Sequence, residues 1–360
     1  MKDPIMRTIK GPGLFIAQFI DANEQLSTLD GMCAWAASLG FKGLQVPTWQ
    51  SHMLDLAKAA ESQAYCDEFL GTLARHGLEL TELTCQRHGH LLAVHPAYDA
   101  TVDGFAPAAV RGNPEARAEW AKGQLLLAAK AARQLGVDKI VSFSGSLLWP
   151  YFYPYPPAPE GLVDAGFREL ARRWRPILDA YDEAGIDLCF ELHPSEDLHD
   201  GATFERFLAL VDGHKRCNLL YDPSHFLLQH MDYLGFIEIY HERIKAFHVK
   251  DAEFRPSARS GVYGGYQDWA GRPGRFRSPG DGQIDFRTIF SLLTAHGYDG
   301  WACLEWECYL KDRYRGAAEG AAFIAGHIIP VTEAAFDATM RPAIDEAQIG
   351  AVLGLGKPAR

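Results

Sequence analysis

The sequence has little positive charge and no long apolar run. It contains 35 lysine and arginine residues against 46 aspartate and glutamate residues, which gives a net charge of −11 at pH 7. A protein that neutralises a nucleic-acid backbone needs clustered positive charge, so no nucleic-acid partner is expected. No stretch of about 18 apolar residues occurs, and the start has no apolar signal-peptide core. We therefore expect a cytoplasmic protein with no membrane partner.

Cysteine and phosphate-binding motifs are also sparse. The seven cysteines are an odd number, and they are scattered without CxxC spacing. This pattern is typical of small buried residues in a reducing compartment and excludes a disulfide framework or a zinc knuckle. No glycine-rich P-loop opens a helix. No internal repeat of about 20 to 50 residues indicates a solenoid.

Four short apolar runs in the second half of the chain each end in a residue type that binds hard metal ions. The runs are FELHP with Glu191, YDPSH with Asp222, FHVKD with His248 and CLEWE with Glu305. A buried strand that stops at a carboxylate or imidazole is typical of the C-terminal rim of a β/α barrel. A single such residue is readily explained as a helix cap or an ion-pair partner. Four in succession, spaced by about one βα unit or by a unit with a long loop, predict a shared site.

The whole chain divides into eight strand–helix units. A (β/α)₈ barrel takes roughly 250 residues and accepts insertions, so 360 residues fit one elaborated barrel better than two domains. We predict an α/β fold, a (β/α)₈ TIM barrel with long βα loops over residues 1–337, and a C-terminal tail over 338–360. The clearest helices are predicted over 114–135 and 162–184. The last helix is predicted over about 316–336.

The proposed ligand set defines the chemistry that the site can perform. Three carboxylates and one imidazole suit a single divalent ion; Mn²⁺ is favoured, and Mg²⁺, Co²⁺, Fe²⁺ and Zn²⁺ are possible. An ion that holds two adjacent oxygens of a hydroxy-ketone acidifies the neighbouring C–H and stabilises an enediolate. Glu191 and Glu305 would lie on different sides of the ion and act as catalytic bases.

Residues near the predicted ligands are candidates for substrate binding. Strand side chains two apart share a face, so His193 lies beyond Glu191 and Lys250 lies beyond His248. His225 follows a Pro-Ser turn and is also placed near the mouth of the barrel.

Four further candidates come from the loops after strands three, four and seven: His88, His90, Trp149 and Arg277. The loop around Trp149 carries five aromatic residues among prolines, and a regular helix or strand is not expected there. It would form a wall or lid against a sugar, or a contact between subunits of a homo-oligomer. The loop over 254–285 is long enough to indicate a functional role.

These motifs resemble the xylose isomerase-like TIM barrels, a superfamily that includes ketose 3-epimerases, inosose dehydratases, hydroxypyruvate isomerases and endonuclease IV. The resemblance covers about residues 10–337 and is most specific in the second half. It implies that Glu191, Asp222, His248 and Glu305 bind one Mn²⁺-type ion and that the two glutamates exchange protons with the substrate. It also implies a substrate contact for His225. As a whole, the chain resembles bacterial proteins of the sugar phosphate isomerase/epimerase family.

The sequence departs from the ketose epimerases at two substrate-binding positions. Those enzymes carry a glutamate six residues after the first ligand and an arginine six residues after the ligand histidine. This chain has Asp197 and Phe254 there. The departures imply different substrate recognition. Endonuclease IV also needs histidines at the end of strand two, where this chain has Pro47-Thr48-Trp49.

The sequence therefore predicts a metal-dependent isomerase or epimerase that acts on a keto-sugar by proton abstraction next to the carbonyl. A 3-keto-glycoside lyase or hydrolase, or an inosose-type dehydratase that works by β-elimination, is the alternative at the same site. The long loops favour a sugar or glycoside substrate larger than a free hexose. A barrel that binds a sugar without turning it over also stays open.

Overall fold

In the computed structural model, residues 7–333, 336–340 and 342–355 are described. Ten strands are present: β1 Lys10–Phe15, β2 Gly43–Pro47, β3 Glu79–Thr84, β4 Lys139–Ser142, β5 Asp187–Glu191, β6 Cys217–Tyr221, β7 Ile244–Val249, β8 Asp251–Phe254, β9 Gly274–Arg277 and β10 Trp301–Leu304. Eight of them close into a parallel barrel in the order β1-β10-β7-β6-β5-β4-β3-β2. The predicted TIM barrel is confirmed.

The described residues contain thirteen α-helices, of which the first twelve lie between Leu29 and His327. They are α1 Leu29–Ser38, α2 Leu56–Glu61, α3 Gln63–Arg75, α4 Gln86–Leu92, α5 Asp99–Val102, α6 Pro114–Leu135, α7 Leu162–Ala184, α8 Gly201–Leu210, α9 Pro223–Leu228, α10 Tyr233–Tyr240, α11 Phe286–Ala295, α12 Arg313–His327 and α13 Glu346–Val352. The ends of α6 follow from its sequence. Asn113 caps the first turn, Pro114 occupies the first helical position, and Gly136 adopts a left-handed conformation with φ 72° after the last turn.

A small apolar cluster fills the barrel below the site. It consists of one residue from each of four adjacent strands: Val141, Cys189, Leu220 and Ala246. Side chains two residues apart along a strand point to the same face. Glu191, Asp222 and His248 therefore stand one level above the last three members of this cluster. The barrel presents these polar side chains on top of a packed apolar layer.

Two segments predicted as loops contain regular structure. Residues 86–92, predicted as part of a histidine-rich loop, form helix α4, which packs so closely that a Cβ on Gly89 would lie 2.2 Å from the carbonyl oxygen of Phe143. The predicted loop over 254–285 contains β9, which pairs antiparallel with β8. Glycine-rich sequence concealed β9, because glycine lowers strand propensity unless tertiary packing requires it.

The last barrel helix ends earlier than predicted. Helix α12 stops at His327, and residues 328–333 are not helical. Pro330 explains this end, because a proline disfavours the helical conformation at the residue before it. The rest of the predicted helix includes residues 334 and 335, which lie outside the described residues. The chain divides into two compact units at residues 329 and 330, and the second unit contains a 3₁₀ turn at Ala338–Met340 and helix α13.

All seven cysteines lie within the described residues and are free thiols. In that same part of the chain, no helix combines the length and the apolar character that crossing a membrane requires.

Candidate metal centre and active site

The four candidate ligands meet at the C-terminal end of the barrel. Strand β5 ends at Glu191, Asp222 and Glu305 directly follow β6 and β10, and His248 is the next-to-last residue of β7. All four side chains are buried. One ligand atom from each lies within 4.8 Å of the other three. Residues that are up to 114 positions apart in the chain thus converge on one point.

Glutamines from the first half of the chain orient the two glutamates. Gln86, the first residue of α4, donates from Nε2 to Glu191 Oε2 at 2.6 Å. Gln18, just after β1, donates from Nε2 to Glu305 Oε1 at 3.2 Å. Both contacts leave the second oxygen of each carboxylate turned toward the cluster. Partners of this kind fix the direction of ligand side chains and are a regular part of metal sites.

A third glutamine determines the orientation of His248. Gln45 lies on β2, and its Oε1 is 2.9 Å from His248 Nε2, while its Nε2 donates to Glu82 Oε2 at 3.4 Å. Because the amide N–H₂ group faces the Glu82 carboxylate, the amide oxygen faces His248 and accepts its Nε2 proton. This arrangement leaves His248 Nδ1, which lies 2.8 Å from Glu305 Oε2, as the ligand atom.

Asp222 shows that the cluster fits a cation. Its Oδ1 accepts a hydrogen bond from the backbone N–H of Ser224 at the start of α9. Its Oδ2 is buried and has no hydrogen-bond partner among the described residues, although His225 Nε2 is 3.2 Å away. A buried carboxylate oxygen without a donor is costly unless something else neutralises it.

The size and the chemistry of the ligand cluster also fit a divalent cation. An ion with ligand distances of about 2.1 to 2.4 Å can bridge atoms 4.8 Å apart. Three carboxylates and one imidazole match the preferences of Mn²⁺ and Mg²⁺. Glu191, Asp222, His248 and Glu305 are therefore the residues that could hold a divalent metal ion.

Two histidines lie against the cluster. His225 Nε2 is 3.2 Å from Glu191 Oε1 and 3.2 Å from Asp222 Oδ2, and its ring centre is 4.1 Å from that of His193. Burial disfavours the imidazolium of His225, but Asp222 outweighs burial and raises its pKa to about 9. Burial, reinforced by His225 and Lys250, lowers the pKa of His193 well below its usual range. These surroundings thus favour the charged form of His225 and the neutral form of His193.

Lys250 adds a buried positive charge beside the carboxylates. Its Nζ lies 2.8 Å from Glu307 Oε2, 3.4 Å from Glu305 Oε2 and 4.3 Å from the centre of the Phe276 ring. Burial opposes the charge on Lys250, but Glu305 and Glu307 outweigh burial and raise the pKa well above its usual value. Lys250 therefore offers a hydrogen-bond donor next to the candidate metal ligands.

The two glutamates have different electrostatic surroundings. Burial raises the pKa of Glu191, and repulsion from Glu305 raises it further. Burial also opposes ionisation of Glu305, but Lys250 and His248 outweigh it and lower the pKa. Two carboxyl groups with oppositely shifted pKa values are the usual arrangement for acid and base roles in one site.

His88 and His90 are held by protein contacts. His88 Nδ1 lies 3.2 Å from Thr48 Oγ1, its ring packs edge-on against Trp120, and burial lowers its pKa to about 4. His90 is paired with the buried carboxylate of Glu196. A large cavity, described below, lies beside the ligand cluster, and among the described residues neither histidine lines it. The structure therefore does not bring these two candidates to the ligand cluster.

The two acids after strand β5 hold the aromatic loop. Both carboxylate oxygens of Asp197 accept backbone N–H groups, from Leu147 at 2.7 Å and Leu148 at 2.8 Å. Glu196 accepts the N–H of Gly145 at 2.6 Å. Burial raises the pKa of Asp197 to about 6, although the backbone donors favour its charged form. Position 197, where ketose epimerases bind substrate, thus fixes the loop that carries Trp149.

A large cavity lies beside the ligand cluster. Its volume is about 990 Å³, and both His193 and His225 line it. Trp149, predicted from sequence, also lines it, together with Phe276 and Trp269 from the long loop. His225 also contacts Glu191 and Asp222, so this histidine stands between the cavity and the candidate metal centre. A cavity of this size is at the upper end for small-molecule sites.

Arg277 lies on the opposite face of the β8–β9 ribbon. Its Nη1 is 2.7 Å from Glu253 Oε2, and its guanidinium lies 5.7 Å from the centre of the Tyr309 ring. The neighbouring Phe276 faces the cavity, and side chains alternate along a strand. Arg277, predicted to bind substrate, is therefore not among the described residues that line this cavity, whereas Arg272 from the same loop is.

Sequence reasoning missed the polar residues of the first half. Gln45 and Glu82 are buried polar residues within apolar strands, which is a signal that could have identified them. Gln86 stands directly after predicted strand three but was grouped with the histidines that follow. For Gln18 the sequence gives no clear signal.

The fold and the ligand cluster together define a TIM barrel with an oxygen-rich, metal-type site at its C-terminal mouth. The characteristic sequence pattern of the xylose isomerase-like TIM barrel matches residues 33–327. The chain belongs to this family.

Curated relatives at 31 to 32% identity match part of the chain. Inosose dehydratase from Bacillus licheniformis is 32% identical over 123 residues, which are 34% of this chain and 41% of that protein. Inosose dehydratase from Lacticaseibacillus casei is 31% identical over 150 residues, which are 40% of this chain and 48% of that protein. The chain thus spans less than half the length of these relatives.

Solved structures agree over most of the chain at low identity. The apo form of the 3-keto-D-glucoside 4-epimerase YcjR from E. coli has a TM-score of 0.60 at 15% identity, covering 87% of this chain and 98% of that one. An L-ribulose 3-epimerase has a TM-score of 0.58 at 17% identity, covering 99% and 100%. A xylose isomerase-like TIM barrel protein from Mycobacterium smegmatis in complex with magnesium has a TM-score of 0.56 at 17% identity, covering 85% and 89%. At these identities the likeness shows the fold.

Proposed function

We propose that this protein is a divalent-metal-dependent enzyme that isomerises or epimerises a keto-sugar by removing the proton next to the carbonyl. The observation that carries the proposal is the convergence of Glu191 and Glu305 with Asp222 and His248 within 4.8 Å. Strands β6 and β7 separate β5 from β10 in the barrel. The two glutamates therefore approach the cluster from different sides, as two-base proton transfer requires.

The residues of the chain would share the work as follows. A divalent ion held by the four ligands, with Mn²⁺ favoured, would polarise the ketone and lower the pKa of the adjacent C–H. One glutamate takes the proton from one face of the substrate, and the other returns a proton to the opposite face. Gln86 and Gln18 keep the two carboxylates in position. His225, which contacts both the cluster and the cavity, binds a substrate hydroxyl.

A lyase is the second candidate, and the curated relatives favour it. The matched relatives are inosose dehydratases, and a dehydratase begins with the same removal of a proton next to a ketone. Loss of a group from the next carbon would then replace reprotonation. In this reaction a dehydratase releases water, and a 3-keto-glycoside lyase releases an aglycone.

Solvent exchange tests both candidates. Purified protein is analysed for metal, loaded with Mn²⁺ and incubated in deuterium oxide with ketohexoses and with 3-keto-glucosides. Deuterium incorporation with no loss of a group from the sugar supports the isomerase or epimerase. Loss of water or of an aglycone from the sugar, seen as a change in its mass, supports the lyase. Chelation should stop either reaction, and added Mn²⁺ should restore it. Sugar binding without any exchange would overturn the enzymatic proposal.

A further inference from the structure

The cavity beside the metal cluster has an aromatic wall built from two separate loops. Trp149 and Phe152, after β4, are stacked with ring centres 4.6 Å apart and an interplanar angle of 8°. Tyr263, from the segment between β8 and β9, lies 6.1 Å from Phe152 and 5.8 Å from Tyr153. All four residues line the cavity. The two loops thus form one continuous aromatic surface.

Aromatic residues also line the side of the cavity nearer the metal cluster. Trp269 packs on Phe276 with ring centres 4.7 Å apart, and Phe276 packs edge-on against His225 at 5.5 Å. His225 in turn contacts Glu191 and Asp222. A row of three rings therefore leads from the ligand cluster to Trp269, which lines the same cavity as the aromatic wall.

Four of the aromatic side chains that line the cavity are exposed to solvent. The exposed fractions are 48% for Phe152, 51% for Tyr153, 63% for Tyr263 and 48% for Trp269. Contiguous exposed aromatic surface of this kind marks a binding site. Here it is continuous with the cavity that reaches His193 and His225. A ligand that covers it would therefore extend to the end of the cavity at His225, which contacts the ligand cluster.

We infer that this cavity binds the flat aromatic aglycone of a glycoside whose sugar ring occupies the inner end beside His193 and His225. This inference rests on the proposed function, which places the reacting sugar at the metal centre. A free sugar would leave the outer rings uncovered, whereas a planar aglycone fits a wall of stacked rings. Arg272 stacks on Trp269 at 5.2 Å. Both residues line the cavity, so the planar guanidinium extends the flat surface that the aglycone would cover.

A binding experiment separates the cavity from the chemistry. Calorimetric titration of the Mn²⁺-loaded protein compares 4-nitrophenyl glucosides with methyl glucosides, in both anomers. Neither ligand carries a ketone, so binding does not depend on proton abstraction. We expect at least one 4-nitrophenyl anomer to bind ten times more tightly than its methyl counterpart, because ring stacking adds to the sugar contacts.

Variants of the wall test the assignment residue by residue. Trp149→Ala and Trp269→Ala should each reduce the preference for the aryl glucoside about tenfold. Tyr155→Ala is the matched control, because Tyr155 lies on the same loop and is 78% exposed, and it should keep the preference of the native protein. Circular dichroism and the melting temperature check that each variant folds.

The outcomes of the two experiments are distinguishable. Tighter binding of the aryl glucoside without deuterium exchange into any keto-sugar supports the inferred aglycone site and contradicts the proposed function. Deuterium exchange together with equal binding of the aryl and methyl glucosides supports the proposed function and overturns the inferred aglycone site. Equal binding together with a dimer that Tyr263→Ala dissociates would identify the aromatic wall as a subunit contact, and would also overturn the inference.

Discussion

The two halves of the barrel supply different chemistry to the same site. Strands β5, β6, β7 and β10 carry the charged ligand set, whereas β1, β2, β3 and the segments after them carry neutral amides. The amide residues are Gln18, Gln45 and Gln86. Each contacts one ligand through a single hydrogen bond. An amide can donate or accept without adding charge, so the first half orients the ligands without weakening their attraction for a cation.

Asp222 is the ligand that the first half does not orient. Its Oδ1 is fixed by the N-terminus of α9, and its Oδ2 stays available. The second half of the chain therefore provides both the charge and one ligand, Asp222, that its own neighbouring helix holds in place. The first half provides direction for the other three. The two contributions can be tested separately.

Removing charge from the second half should have the largest effect. Glu191→Gln and Glu305→Gln should each lower the rate of deuterium exchange by roughly 10³-fold or more, because a catalytic base and a ligand charge are lost together. Exchange rates, metal content and circular dichroism are measured on the same samples. A folded variant with a near-normal rate would remove that glutamate from its assigned role.

The next largest effect is expected at His225, the charged histidine of the second half. His225→Ala should lower kcat or raise KM by roughly 10²-fold, a typical scale for one orienting or acid–base group. His225→Asn, which keeps a polar group at that point, should recover part of the loss. Steady-state kinetics on the substrate identified by exchange provides the check. Unchanged kcat and KM in His225→Ala would show that this histidine serves only packing.

Removing the amides of the first half should weaken the metal rather than the chemistry. Gln45→Leu and Gln86→Leu should reduce Mn²⁺ affinity about 10- to 100-fold, because ligands without their outer hydrogen bonds lose orientation. Excess Mn²⁺ should restore most of the rate, unlike in the glutamate variants. Gln63→Leu on the exposed surface of α3 is the matched control. Unaltered affinity by calorimetry in both variants would break the division between the halves.

Replacing His88, in the first half of the chain, should have the smallest effect, and only on the stability of the protein. Burial holds the pKa of His88 at about 4, below the ordinary 6.5. Below pH 6.5 the unfolded chain binds the proton that the folded protein refuses, so stability falls as the pH drops from about 6.5 toward 4. Between pH 7 and pH 5 the native protein should lose about 2 kcal/mol more than His88→Asn. Urea unfolding at the two pH values measures this, and equal losses would contradict the buried neutral state.

Regular elements were predictable where the signals are local. Helices α6 and α7 have the predicted ends, because caps and glycines mark them within a few residues. The histidine-rich segment misled the prediction. Its histidines gave the visible signal, but helix α4 turns His88 and His90 into protein contacts and directs Gln86 to Glu191. The direction of a helix face depends on packing, which the local sequence does not contain.

The sequence by itself determined the barrel and the four residues at its strand ends. Strand alternation and the position of a residue at the end of an apolar run are local properties, and a parallel barrel gathers all such ends at one mouth. Only the tertiary structure decided which neutral residues touch those four. The glutamine contacts join positions 105, 203 and 287 residues apart. The contacts of Gln18 and Gln45 form only when β1 pairs with β10 and closes the barrel, whereas that of Gln86 needs the neighbouring strands β3, β4 and β5.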